Sequence, residues 1–482
     1  MKQRRLPGER FLLLVRGALA MLLLVGTPAR AGLFIGEAGP ADEREPGSGY
    51  RPGDAGYWIG GAGGFLYDCW SDDDLPRADW GLFCRAYQSG VPLGDPVPIT
   101  QSVGYTVFFP AGCFGPEGGV RLLWSGNGQL WFSRSDDNGS TWSDPLRIDH
   151  APGSVVMTAE PRIACGAAEV YVAWKDSREG EQHVYFNRSL DSGQSWEASD
   201  ARIDATDGEV AGYRYGPILA ADSSGDVYAA WVKGSHLYAR VSNDFGESWA
   251  DEAQLDELGV PDPASARPSI AADESGHVYV AWTSVFGQMY LNRSSDAGAT
   301  WLDNEQRISD YQAVIAVAGT VATDGKGHVY GLWYYQAQGS FILDVRFSVS
   351  SDYGETWQDK DAMLGTTGVS LHPFIPHLAA DASGNVYAVW MRYQSAGTVR
   401  HIYANASFDA GTTWQGGEEG FAIDSAPDDL DINAHEPFVG CDGTGLGGAT
   451  WIDRRDPQQM HLFMNVFGQA PESAGLSGAK IQ

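Results

Sequence analysis

Positive charge is scarce in this 482-residue chain: 32 Lys and Arg stand against 62 Asp and Glu. Nucleic acid and anionic membrane surfaces are therefore not expected partners, because a polyphosphate would be repelled. Cysteine is scarcer still, at five residues, with no CxxC spacing, which excludes both a disulfide scaffold and a zinc site of that type. After residue 31 no sustained apolar pattern at helical spacing appears, so a helical bundle is not expected. Abundant instead are Gly, at 61 residues, and Trp, at 17, a composition suited to strands and tight turns.

The N-terminus reads as an export leader. Lys2, Arg4, Arg5 and Arg10 precede the apolar stretch FLLLVRGALAMLLLVG, and Ala29-Arg30-Ala31 supplies a small-x-small cleavage pattern. Arg16 interrupts the apolar run, which argues against an uncleaved anchor needing about 20 apolar residues. Cleavage near Ala31 removes six cations and one carboxylate, leaving 26 Lys and Arg against 61 Asp and Glu, a net charge near −35. The expectation is an exported, soluble, monomeric protein without stable membrane insertion.

An octet of the form S-x-D-x-G-x-[ST]-W organises the rest. It occurs as SDDNGSTW, SLDSGQSW, SNDFGESW, SSDAGATW, SSDYGETW and SFDAGTTW, centred on Asp137, Asp191, Asp244, Asp296, Asp352 and Asp409. About 20 residues before each octet runs an apolar strand ending in Trp, as in EVYVAW and HVYVAW. These Trp are Trp124, Trp174, Trp231, Trp282, Trp333 and Trp390, and two further strands end at Trp70 and Trp451 without an octet. Most Trp strands follow a Pro-led strand and a turn such as DSSGD, which is hairpin chemistry. A third strand leads into each octet and a short fourth follows it, as in LRID.

Four antiparallel strands per period of about 50 residues is the unit of a β-propeller blade. Eight such units predict an all-β, eight-bladed propeller over residues 55–466, with seven blades if residues 50–100 are not a true blade. Only seven units have an outer strand following them, so Leu33-Phe34-Ile35, within an N-terminal segment 32–54, is expected to supply the eighth and close the ring. Residues 467–482 read as a tail.

The octet is the Asp box, or BNR repeat, and the chain resembles the sialidase-like Asp-box propellers over roughly residues 55–466. Its Asp can accept backbone N–H bonds across a turn, its Gly permits positive φ and its Trp covers the hairpin, so it reads as a structural lock. The resemblance implies function on the opposite face, formed by the loops before each Pro-led strand and after each Trp. For the same reason the NGS, NRS and NAS triplets, which overlap repeat strands and turns, are not expected glycan acceptors.

On those loops the catalytic candidates are Glu160, Asp176, Tyr213, Glu436 and Asp453, and the ligand-binding candidates are Arg162, Arg178, Arg214, Arg267, His372, Arg392, Arg454 and Arg455. His377, His435 and the Asp72-Asp73-Asp74 run with Arg77 lie nearby. Sialidases of the resembled family hold a carboxylate with three convergent Arg and use a Tyr–Glu pair with an Asp. Their F/Y-R-I/L-P motif is absent here, the nearest stretch being Tyr50-Arg51-Pro52, and they are six-bladed. The leading expectation is a non-catalytic propeller binding a carbohydrate or an extracellular protein, followed by a sialidase-like hydrolase, then a polysaccharide lyase using His372 or His435 with a Tyr. No cofactor is expected; calcium is left open, and no loop has an ordered ligand spacing for it or another metal. Cys69 and Cys84, on adjacent strands, suit a cross-strand disulfide, whereas Cys113, Cys165 and Cys441 read as small core residues.

Overall fold

The structure is a computed structural model and describes residues 33–35, 39–40, 57–72, 81–100, 107–115, 118–151, 161–204, 210, 216–257, 268–283, 288–309, 315–336, 343–367, 376–394, 399–424, 435–453 and 461–469. Eight antiparallel sheets follow one another along the chain, each of four or five strands, forming an eight-bladed propeller. Their inner strands are Tyr57–Ala62, Val107–Phe114, Arg162–Cys165, Ile218–Ala221, Ser269–Ala272, Ile315–Thr323, His377–Ala380 and His435–Cys441, which number blades 1 to 8. Each inner strand touches the next around the axis, and the first touches the last, so the circuit is complete. At that seam a Cβ on Gly440 would lie 2.9 Å from the Cα of Gly60, a backbone approach only glycine tolerates.

Ring closure comes from the N-terminus. Leu33–Ile35 pairs with residues 467–469 of the His461–Gln469 strand, and Gly39–Pro40 pairs with residues 463 and 464. The outer edge of blade 8 is thereby covered by the opposite end of the chain, and the blade's third strand reaches Gln469.

Blades cohere because both sheet faces are apolar. The strand Val170–Asp176 is buried at every position, as is His183–Ser189 beside it. One face packs on the preceding blade and the other on the following one, giving an apolar cluster at each of the eight junctions. The eight repeat Trp point back into these junctions and are at most 5% exposed. Each indole removes on the order of 150–250 Å² from water, roughly 4–6 kcal/mol of transfer free energy before entropic costs.

A polar clasp recurs inside the apolar junctions. Asn187, Asn292, Asn405 and Asn465, all on third strands and at most 2% exposed, donate their amides to Ile148, Leu255, Leu364 and Ile423 of the preceding blade at 2.6–3.5 Å. Arg240 fills the same role toward Ile203. Three of these Asn belong to the NRS and NAS triplets, and their buried, bonded amides are closed to glycosylation.

The octets are both turn locks and junction wedges. In all six, the leading Ser donates to the Asp at 2.7–2.9 Å, and the seventh residue donates its N–H at 2.7–2.8 Å and its hydroxyl at 2.5–2.6 Å. The octet Trp does more than cover its own hairpin. Trp196, Trp249 and Trp414 pack edge-on against Phe132, Phe186 and Phe347 of the preceding blades, with centroids 4.8–5.0 Å apart.

Cysteine pairing departs from the sequence expectation. Cys69 and Cys84 form a disulfide within blade 1, but Cys113 and Cys165, read above as small core residues, form a second disulfide between the inner strands of blades 2 and 3. Their separation of 52 residues equals one repeat, so ring packing places them side by side. Cys441 stays a thiol, bonded to the carbonyl of Ala380, and burial pushes its pKa up to about 12, which keeps it inert near neutral pH.

Two predictions follow from the octet geometry. Ala297 sits at φ +54°, a strained value for a residue with a Cβ, whereas a Cβ on Gly298 (φ +78°) would lie 2.3 Å from Val241 of the preceding blade. Ala297→Gly should therefore stabilise the protein by about 0.5–1 kcal/mol, and Gly298→Ala should destabilise it by about 2 kcal/mol, in denaturant titrations. The Ser248 hydroxyl and N–H and the Ser242 hydroxyl hold the Asp244 carboxyl down to about 2. Asp352 also lies at about 2, where partial desolvation raises it and the bonds from Thr356 and Ser350 outweigh that. Depressed carboxylates favour the fold above their unfolded pKa of about 4, and that contribution is lost as pH falls toward 2. The melting temperature should accordingly drop between pH 4 and pH 2, and the drop should shrink in an Asp244→Asn, Asp352→Asn double variant.

Candidate functional site

The two faces of the ring are built from different loops. Each octet is tied to the first hairpin of its own blade: the N–H groups of Phe245, Ala297, Tyr353 and Ala410 donate to the carbonyls of Gly225, Gly276, Gly327 and Gly384 at 2.9–3.0 Å. Those hairpins are pinned in turn by buried Asp residues, such as Asp273 and Asp381, which accept the N–H groups two and four residues ahead. The octet face is thus saturated by its own repeat. The other face carries the hairpins after each Trp and the crossings from one blade to the next.

Four cations on that second face turn onto their own blades. The Arg178 guanidinium lies 3.9 Å from the ring centre of Tyr185 and pairs with Asp176 at 2.5 Å and Asp200 at 2.8 Å. Lys233 lies 4.2 Å over Tyr238 and pairs with Glu252. Arg346 approaches Tyr335 at 5.4 Å and pairs with Asp344 at 2.6 Å. Arg392 lies 4.9 Å from Tyr403 and pairs with Glu419 at 2.9 Å. A cation, an aromatic face and a carboxylate recur together, stapling the strands of one blade.

This placement assigns Asp176, Arg178 and Arg392 to the scaffold. Asp176 is completely buried, and its oxygens accept the Trp174 indole N–H at 3.0 Å as well as the Arg178 backbone and guanidinium. Such a carboxylate has no route to a substrate. Lys233 and Arg346 belong to the same set; for Lys233 the signal in the sequence is Tyr238, which faces Trp231 on the neighbouring strand, whereas Arg346 itself faces Trp333.

The axial channel opens on this face through one register of the inner strands. Backbone pairing sets Trp58, Arg162, Ser269, Thr320, His377 and Phe438 each opposite the residue just before a repeat Trp. Ala111 and Ile218 complete the ring. The next layer inward is apolar, with Ile59, Ile163, Leu219, Ile270, Val321, Leu378 and Val439. The strands Ser269–Ala272 and His377–Ala380 are half-buried along their whole length, and inside a closed ring that exposure comes from the channel itself. Among the described residues of these two layers, the polar and aromatic groups stand in the first and the second is aliphatic apart from Gly112.

Of the sequence candidates, Arg162 stands at this mouth, half-buried, at the start of its inner strand. Glu436 and Asp453 lie on the His435–Cys441 and Leu446–Asp453 strands, and only the backbone of these two residues is described. Glu160, Tyr213, Arg214, Arg267, His372, Arg454 and Arg455 lie outside the described residues. Trp58 and Phe438 were not singled out in the sequence; counting back twelve or thirteen residues from each Trp finds them. Among the described residues no group of three or more His, Cys, Asp or Glu could hold a metal ion, and no helix is long and apolar enough to cross a membrane.

No protein-family model matches the chain, and no curated protein matches it. Among solved structures it is similar to a polysaccharide lyase of family PL25, an ulvan lyase, at 11% identity and TM-score 0.46, covering 73% of this chain and 90% of the other. It is also similar to NanB sialidase from Streptococcus pneumoniae (10% identity, TM-score 0.40, 88% and 70% covered). A third likeness is to the GH93 α-L-arabinofuranosidase of Fusarium graminearum (13% identity, TM-score 0.40, 76% and 94% covered).

The staples differ in burial, and that difference is measurable. Removing the Arg178 charge leaves Asp176 and Asp200, both fully buried, without their cation, so Arg178→Gln should cost about 3–5 kcal/mol in thermal or chemical unfolding. Glu419 is 67% exposed, so Arg392→Gln should cost about 1 kcal/mol or less. Equal costs for the two variants would refute the staple assignment of Arg178.

Proposed function

We propose that this protein is an exported propeller that binds a carbohydrate at the channel mouth, on the face opposite the octets, without turning it over. The observation that carries the reading is the distribution of departures from the repeat. The octet face repeats nearly unchanged and satisfies its own hydrogen bonds, whereas the mouth register changes in almost every blade and combines aromatic, hydroxyl and cationic side chains. A concave opening with an apolar floor and a few polar groups is the ordinary form of a small-ligand site, and aromatic faces suit the C–H faces of sugar rings. The engagement of Asp176, Arg178 and Arg392 in staples supports binding over catalysis. Two disulfides support export to an oxidising compartment. We take the working form to be a monomer that needs no cofactor.

Glycan-array binding of purified residues 32–482 tests the reading, with an array of extracellular proteins as the competing arm. The expected result is saturable binding to a subset of glycans, lost in Phe438→Ala. Binding to proteins alone would reject it. Turnover of a fluorogenic sialoside, or rising absorbance near 232 nm on a uronate polymer, would replace binding by hydrolysis or lyase chemistry.

A further inference from the structure

An Asn followed by Gly is open to attack by its own backbone, because a residue without a Cβ leaves the next amide nitrogen unshielded beside the Asn side chain. The chain holds two such dipeptides, Asn127-Gly128 and Asn138-Gly139. In the sequence they are equivalent; in the fold they are not.

Asn127 and Gly128 form the two-residue turn between the Val120–Gly126 and Gln129–Ser135 strands, which pair up to Gly126 and Gln129. Both turn residues have positive φ, +54° and +67°, the geometry of an Asn-Gly type I′ hairpin. The hairpin follows Trp124 and so stands on the mouth face. Asn127 is exposed, and among the described residues neither its side chain nor the Gly128 N–H takes a hydrogen bond. Asn138 and Gly139 lie within the first octet, also at positive φ. There the Gly139 N–H donates to the Ser135 hydroxyl at 2.8 Å in a buried position. A Cβ on Gly139 would lie 3.4 Å from Ala86 and 3.5 Å from Tyr67 of blade 1, and the Tyr67 hydroxyl donates to Asn138 Oδ1 at 3.4 Å. The octet thus holds both the nitrogen and the side chain that the reaction needs.

We propose that Asn127 is a self-modifying site, converted by intramolecular attack and water to a mixture of isoaspartate and aspartate, whereas Asn138 is protected by its octet. The Gly128 nitrogen gives up its proton to solvent and bonds to Asn127 Cγ. The Cγ–Nδ2 bond breaks and ammonia leaves, closing a five-membered succinimide. Water then adds to one of the two ring carbonyls and breaks its bond to the Gly128 nitrogen. Opening at Cγ restores the ordinary chain as aspartate; opening at the main-chain carbonyl routes the chain through Cγ as isoaspartate. The balance is one amide and one water giving one carboxylate and one ammonium, with no oxidant or cofactor. A hairpin tip can leave its native φ and ψ by local fraying alone, whereas the octet must first release the Gly139 bond and its packing on blade 1. The product places a new negative charge on the mouth face, and in the isoaspartate form an extra backbone atom in a turn of fixed length.

Peptide mapping by mass spectrometry of residues 32–482, aged at physiological temperature in mildly alkaline buffer, tests the proposal. The Asn127 peptide should gain the mass of an amide turned to an acid and separate into two isomers, with isoaspartyl-specific methylation labelling one of them. Conversion at Asn127 should outpace that at Asn138 by about tenfold or more in the native protein. In denaturant the two dipeptides should convert at similar rates, because the fold alone distinguishes them. Asn127→Gln should abolish the acidic species that ion exchange resolves on ageing, with thermal unfolding of the fresh protein unchanged. Equal conversion at Asn127 and Asn138 in the native protein would overturn the proposal. So would an Asn127 that stays intact in the native protein over a period in which the denatured chain converts.

Discussion

A four-stranded sheet that is apolar on both faces cannot exist alone, and this need for a partner on each side governs the molecule. Every blade here buries a Trp against the blade before it and a Tyr or aliphatic row against the blade after it. A linear stack would leave two such faces exposed to water. Closing eight blades into a ring removes both, and the N-terminal strand covers the outer edge of the last blade's third strand. The buried Asn clasps add direction to this packing, since an amide left unbonded in an apolar junction is costly and fixes how neighbouring blades register.

The same constraint separates scaffold from site. Groups that recur from blade to blade hold the scaffold together: the junction Trp in all eight blades, the octet Asp in six, and the turn Asp and clasp Asn in several. Groups that vary between blades stand in one register of the inner strands, at one end of the ring. Charge alone was a poor guide there, because aromatic rings beside the repeat Trp draw nearby cations onto the blade. Arg178 and Arg392 are such cases, and both lie in staples rather than in an open pocket.

Much of the architecture was legible in the residues. The octet spacing marked the period, and the Trp strands marked eight blades rather than six. The missing outer strand after the last unit pointed to Leu33-Phe34-Ile35. The Cys113–Cys165 bond is less legible, because a separation of one period becomes a contact only when successive inner strands are neighbours. The mouth was less legible. Its register depends on hairpin length, which sets the inner-strand residue twelve positions before the Trp in blades 1 and 3 and thirteen in the others.

What the sequence alone determined is periodic: strand order, turn chemistry and the number of blades follow from local patterns repeated every 50 or so residues. What only the tertiary structure decided is which side chains meet across that period. Contacts between blades join residues about one repeat apart, and the first blade meets the last, at separations where local pattern carries no information. Cys113 meets Cys165, and the Asn187 amide meets the Ile148 carbonyl, for that reason.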